Sequence, residues 1–171
     1  MKGAIIIQSR IDQLLITMME HEDKDVKRIQ HFLKVHEFAR LIGQMEGLSA
    51  NVQETLEAAA VAHDIGIHPA ERKYGHCDGP LQEQEGPPLA RELLARLGWE
   101  ESVIERVVWL VGHHHTYTDI DGADYLILVE ADFLVNLFES DHPDETQREV
   151  YRRIFKTEGG KRLFRTMFAW E

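Results

Sequence analysis

His63 and Asp64 stand side by side in this 171-residue chain, after Ala58-Ala59-Ala60-Val61-Ala62 and before Ile65-Gly66. An imidazole nitrogen and a carboxylate oxygen so placed can reach one divalent cation, and the small residues before them let neighbouring helices approach closely. Upstream, His31 lies in a frame with Val35 one turn on and Ala39 two turns on. Downstream, Asp132 interrupts the apolar run Val129-Glu130-Ala131-Asp132-Phe133-Leu134. A carboxylate buried there is costly unless it is paired or metal-bound. Two imidazoles and two carboxylates form a mixed nitrogen–oxygen donor set, which suits Mn, Fe, Co, Ni or Zn better than an all-oxygen ion. Ten histidines are a high count for this length, and three are contiguous at His113-His114-His115, far from the termini where tags sit.

Helical periodicity accounts for the elements that must position these groups. Ile11, Leu14, Leu15, Met18 and Met19 predict an amphipathic helix over about residues 9–20. Asp23 or Asp25 can cap a second helix, which carries His31 and stops at Gly47. A third runs from about Asn51 through the alanines to Asp64, with Gly66 and Pro69 as its stop. Residues 67–81 lack periodicity and read as a loop beside the His-Asp pair. Pro87-Pro88 predict the start of a fourth helix ending at Gly98, and Trp99 leads into a fifth that ends near the histidine run. Tyr125 to Glu139 forms a buried sixth helix containing Asp132, Pro143 opens a seventh to about Phe155, and a short last helix ends at Trp170. No stretch alternates with a period of two. The expected fold is all-α, a bundle of about seven or eight helices in a single domain over residues 1–171, without repeats or a linker.

Charge and cysteine use restrict the function classes. A formal charge of −11 and a pI near 5.3 argue against a general nucleic-acid or anionic-membrane surface. Cys77 is the single cysteine, so no intrachain disulfide forms, which suits a reducing cytosol. The apolar run Ala4 to Ile7 is cut off by Gln8, Ser9 and Arg10 and is not a signal peptide. No apolar stretch reaches the roughly 20 residues of a membrane-spanning helix. A cytoplasmic location is expected. The apolar face of the first helix and the aromatics Phe155, Phe164, Phe168 and Trp170 either close the core or pair subunits. A homodimer is expected only from the general frequency of symmetric pairs.

The ordered set His31, His63-Asp64 and Asp132 resembles the HD-domain superfamily of metal-dependent phosphohydrolases, an all-helical family with the signature His … His-Asp … Asp. The resemblance is strongest over residues 24–138, with 1–22 and 143–171 as additional helices. It implies that His31, His63, Asp64 and Asp132 ligate a divalent transition metal. His36, five residues beyond His31, points about 140° away and is set aside as structural or surface.

Members with a dinuclear centre add histidines from the next two helices. His113 and His114 resemble one such placement, but the histidine expected to open the fourth helix is missing. Gln82 stands near its position, with Glu83 and Glu85 close by. Two readings stay open: His113 and His114 hold a second ion, or His113 or His114 binds the substrate phosphate or protonates the leaving oxygen beside a single ion. A solvated helix end is the bland alternative for the triple histidine. Asp64 would orient the attacking water or bridge two ions.

The implied activity is hydrolysis of a phosphoester of a small, nucleotide-like substrate by a metal-activated water. The alternative is a non-catalytic, metal-containing HD module that binds a nucleotide or a protein; a third reading has an ion that only ties helices together. Lys34, His68, Arg72, Lys73, Tyr74 and Tyr117 are further candidates to line the pocket. The stretch after the histidines reads Thr116-Tyr117-Thr118-Asp119 rather than Gly-Tyr-Pro, which weakens a cyclic-dinucleotide assignment.

Overall fold

The computed structural model describes residues 9–140 and 142–168. The Ala4–Ile7 run and the expected helix end at Trp170 lie outside the described residues. Among the described residues there are nine α-helices and no strand: α1 (Arg10–His21), α2 (Val26–Met45), α3 (Ala50–Ala62), α4 (Ile67–Tyr74), α5 (Gly79–Arg96), α6 (Glu101–Val111), α7 (Ala123–Glu139), α8 (Asp144–Ile154) and α9 (Glu158–Met167). The all-α expectation therefore holds. No helix is long and apolar enough to cross a membrane, among the described residues.

Local chemistry sets most of the boundaries. Ser9 caps α1 by accepting from the Asp12 N–H, and Asp25, rather than Asp23, caps α2 by accepting from the Arg28 N–H. Gly47 and Gly98 take φ of +70° and +74°, the left-handed conformation that lets the chain leave α2 and α5. The third helix starts one residue before Asn51, with Ser49 at its N-cap position.

The segment expected as a loop holds an extra helix, α4. Pro69 does not end a helix here; it sits in the first turn of a new one, where its missing N–H has no intrahelical partner to lose. The start of α5 is corrected for the same reason. Asp78 caps it and Pro80 occupies its first turn, so Pro87 and Pro88 lie inside the helix. Pro87 packs against Gly112, just before the histidine run.

α3 is the central strut, packed against α1, α2, α6 and α7, with Ala58 to Ala62 fully buried. Alanine at these positions keeps the neighbouring helices close, and α7 lies on α2 and α3 with Ile127, Leu128, Ala131 and Leu134 wholly inside. After α3 the chain passes Gly66, where a Cβ would lie 2.7 Å from the Gln82 carbonyl oxygen and from the Gly86 nitrogen. Only glycine lets the turn carrying His63-Asp64 rest directly on the backbone of α5. At the C-terminal end, Phe155 and Phe164 are buried and meet with ring centroids 4.9 Å apart. These aromatics close the core.

Candidate metal centre

The side chains of His31, His63, Asp64 and Asp132 come together between α2, the end of α3 and α7. His31 Nε2 lies 3.2 Å from Asp132 Oδ1, 3.4 Å from His63 Nε2 and 3.5 Å from Asp64 Oδ2. His63 Nε2 lies 3.4 Å from Asp64 Oδ2 and 3.6 Å from Asp132 Oδ1. The opposite ring nitrogens are already committed. His63 Nδ1–H donates to the Ala60 carbonyl at 2.8 Å, because a carbonyl can only accept. His31 Nδ1–H donates to Glu139 Oε2 at 2.9 Å, and Glu139 is itself paired with Lys34 Nζ at 2.6 Å. Those partners fix the tautomers and turn both Nε2 atoms toward the two carboxylates. Neutral imidazoles would face the carboxylate oxygens with lone pairs at these distances, which repel unless Nε2 takes up a proton or a cation sits among them. The donor set fits a divalent transition metal.

The charges respond accordingly. Burial works against protonating His63, but Asp64 and Asp132 outweigh it and hold the imidazole well above its usual range. His31 is raised likewise against its burial, by the hydrogen bond to Asp132 and the charge of Asp64. Burial opposes charge on Asp64 and Asp132 as well, yet the imidazoles around them hold both carboxyls below the usual range.

A second group shares Asp64. Ligand atoms of Asp64, His114 and His115 lie within 4.8 Å of one another. His114 Nδ1–H donates to the Val111 carbonyl at 2.8 Å, leaving Nε2 buried, without a hydrogen-bond partner, 3.6 Å from Asp64 Oδ1. An orphaned lone pair beside a carboxylate is a second place where a cation fits. His115 is tied to Gln82 Oε1 at 2.9 Å, and burial together with the charge of His114 takes its pKa down to about 4.

His113 is not brought to this cluster. Its ring stacks on Trp109 at 4.2 Å between centroids, and its Nδ1–H donates to the Trp109 carbonyl. The contacts with Trp109 hold His113 apart, whereas His114 and His115 both come within reach of Asp64. Of the expected pair His113 and His114, the structure brings only His114 beside Asp64, together with His115.

Gln82 is buried, with Oε1 2.9 Å from His115 Nε2. Glu83 is engaged by the His115 N–H and the Thr116 hydroxyl, and Glu85 by Lys73 and Tyr74, so neither is turned to the cluster. His36 bonds to Glu57 Oε2 at 3.0 Å and is structural. Glu139 and His115 are the participants that sequence reasoning missed. The signal for Glu139 was its spacing: Asp132, Asn136 and Glu139 recur on one face of α7.

The centre opens into a cavity of about 270 Å³ lined by Lys27 and Arg28 on one side, Gln82 and His115 on another, and Asn136 and Glu139 on a third. His68, Arg72, Lys73, Tyr74 and Tyr117, expected as lining residues, are not part of its wall. Tyr117 reaches it indirectly, with its hydroxyl 3.3 Å from His115 Nδ1.

An all-helical bundle with two imidazoles and two carboxylates converging at its centre defines a class of candidate metalloproteins. The sequence model of the HD domain matches residues 28–157, and the chain belongs to the HD domain family. In fold it is similar to the crystal structure of a predicted HD superfamily hydrolase from an uncultured Thermotogales bacterium. That similarity has a TM-score of 0.67 at 24% identity, over 93% of this chain and 85% of the other. No curated protein matches this chain.

Proposed function

We propose that this protein is a metal-dependent phosphohydrolase acting on a small phosphoester, with a nucleoside monophosphate as the first substrate to try. The observation that carries the reading is the inward convergence of His31 Nε2 and His63 Nε2 on Asp64 and Asp132, with both Nδ1–H groups already occupied. His31, His63, Asp64 and Asp132 would hold a divalent ion, which would supply Lewis acidity toward a phosphoryl oxygen and activate water at neutral pH. Asp64 lies between the two ligand groups, so its carboxylate orients the attacking water and would be shared if a second ion bound to His114 and His115. His114 Nε2, buried 3.6 Å from Asp64 Oδ1, would have to carry a proton to hold a phosphate oxygen if no second ion is present. Lys27, in the first turn of α2, places positive charge and a helix N-terminus on the cavity rim, which suits an anionic substrate, while Arg28 beside it is paired with Glu71. The cavity takes a small substrate rather than a polymer. Its acidic surroundings and the net charge of −11 fit poorly with nucleic acid.

A second reading, a non-catalytic HD module that carries metal and binds a nucleotide or protein, is favoured by one feature. Gln82 occupies the ground of a ligating histidine and engages His115. Elemental analysis of the purified protein, followed by a phosphate-release screen with Mn, Co or Ni added, separates the two. Turnover that disappears in Asp64→Ala supports the enzyme. Metal-loaded protein that turns over no phosphoester leaves the binding module.

A further inference from the structure

A third group of ligand-type side chains lies where the turn between α1 and α2 meets the first turn of α4. Glu22, at the C-cap of α1, is 5% exposed, and its Oε2 finds no hydrogen-bond donor. Asp25 uses Oδ1 to cap α2, accepting from the Arg28 N–H at 3.1 Å, which leaves Oδ2 for other contacts. His68 Nε2 lies 2.9 Å from Glu22 Oε2 and 3.7 Å from Asp25 Oδ2, and ligand atoms of the three residues lie within 4.8 Å of one another.

The other side of the His68 ring repeats an arrangement already described. Nδ1 is 3.3 Å from Glu71 Oε2, a carboxylate that takes the Nδ1–H and turns the Nε2 lone pair forward, as Glu139 does for His31. A lone pair then faces two carboxylate oxygens. Protonated, His68 would pair its charge with Glu22, but the 2.9 Å approach does not have hydrogen-bond direction, and Glu22 Oε2 stays without a donor. Burial pushes the Glu22 carboxyl up, which measures the cost of leaving its charge unmatched. Asp25 and Glu71 share the guanidinium of Arg28, at 3.5 Å and 2.9 Å, and Glu22 Oε2 is left without a donor. The negative charge left over is what a divalent cation balances.

We propose that Glu22, Asp25 and His68 bind a divalent transition-metal cation, separate from the centre at His31, His63, Asp64 and Asp132. One imidazole and two carboxylates select the zinc, cobalt, nickel and manganese class. Atoms about 2.1 Å from a common ion, separated as His68 Nε2 is from Glu22 and Asp25, subtend on the order of 90° and 120° at it, within ordinary coordination. The ion would clamp α4 to a turn in which Asp23 and Lys24 take φ of +36° and +74°, strained for residues with a side chain. Asp25, Arg28 and Ile67 also line the cavity, so the clamp would fix its rim. The site stands independently of the hydrolase reading.

The test counts cobalt on the full chain, stripped with chelator, reloaded with Co(II) and desalted. Asp64→Asn, in which the main centre is disabled, is expected to keep one equivalent of Co(II), visible by its absorption. Adding His68→Ala is expected to remove that equivalent, and His68→Ala alone to bind one fewer than the unaltered protein. Should His68→Ala lose its helical circular dichroism, Asp25→Asn keeps the cap, since asparagine caps as well as aspartate, and is expected to weaken this equivalent at least tenfold. Unaltered cobalt stoichiometry in folded His68→Ala, unaltered affinity in Asp25→Asn, or no cobalt in Asp64→Asn overturns the proposal.

Discussion

Two carboxylates two residues apart on α7, Glu130 and Asp132, are both buried, and the protein treats them in opposite ways. Two steps along an α-helix turn the side chain by about 200°, so the pair faces different neighbours. Glu130, with no exposed surface, accepts from the Lys156 N–H at 2.6 Å, the Thr157 N–H at 2.9 Å and the Thr157 hydroxyl. Burial dominates there and raises its pKa despite those donors. Asp132 meets His31 and His63, and their hydrogen bonds overcome its burial and lower its pKa. A carboxylate whose lone pairs are filled by fixed backbone and hydroxyl donors is structurally complete, and Glu130 ties α7 to the start of α9. A carboxylate whose partners are imidazoles with their far nitrogens occupied is suited to be one ligand of a site. Burial alone therefore does not separate a structural acid from a functional one; the type of its partners does.

The largest expected effect falls on the Asp132 side. Asp132→Ala should strip the central metal and lower phosphate release by about a thousandfold or more, read by elemental analysis beside a phosphate assay. Retained metal and turnover would remove Asp132 from the site. Glu130→Ala should do the reverse. With the Lys156 and Thr157 donors left unpaired, it should cost about 2–4 kcal/mol in denaturant unfolding while the metal content stays unaltered. If that variant lost its metal, the division between the two acids would fail.

Glu139→Gln sharpens the comparison, because it keeps the shape behind His31 and removes only the charge. Metal affinity should fall by about 10- to 100-fold, measured by competition with a chromogenic chelator. The smallest effect is the dependence of metal-free stability on pH. His31 and His63 are raised above their ordinary value of 6.5, so their stabilisation is full below that value and is lost as pH rises through the raised folded values. Asp64 and Asp132, depressed below 3.8, stabilise above that value and lose this contribution only as pH falls through their lowered ones. The Tm of chelator-treated protein should therefore drop from pH 6.5 to pH 9. Metal-loaded protein should hold or gain over the same range, since protons no longer compete for the ligands. A metal-free Tm that climbs with pH would contradict the assigned electrostatics.

Much of the bundle was legible because amphipathic periodicity is a local property: α1, α2, α3, α6, α7 and α8 fall close to where their apolar residues recur. The missed elements lie in the proline- and glycine-rich stretch. Pro69 read as a stop but opens α4, while Pro87 and Pro88 read as a start but lie inside α5. A proline's local meaning depends on its position in a turn, and here Gly66 pressed onto Gly86 and Pro87 set on Gly112 decided that position through contacts distant in sequence. The Glu22–Asp25–His68 group was illegible for the same reason, since α4 supplies one member and the turn before α2 another.

By itself the sequence determined the donor types, their order and an all-helical frame able to bring them together. Only the tertiary structure decided directions. It turned His113 onto Trp109 and His114 and His115 toward Asp64, gave Gln82 to His115, and sent Glu130 and Asp132 to opposite neighbours. A spacing rule gives relative angles within one helix, but where a side chain ends depends on how neighbouring helices pack. That packing rests on small residues such as Ala58–Ala62 and Gly66, whose effect appears only when the helices meet.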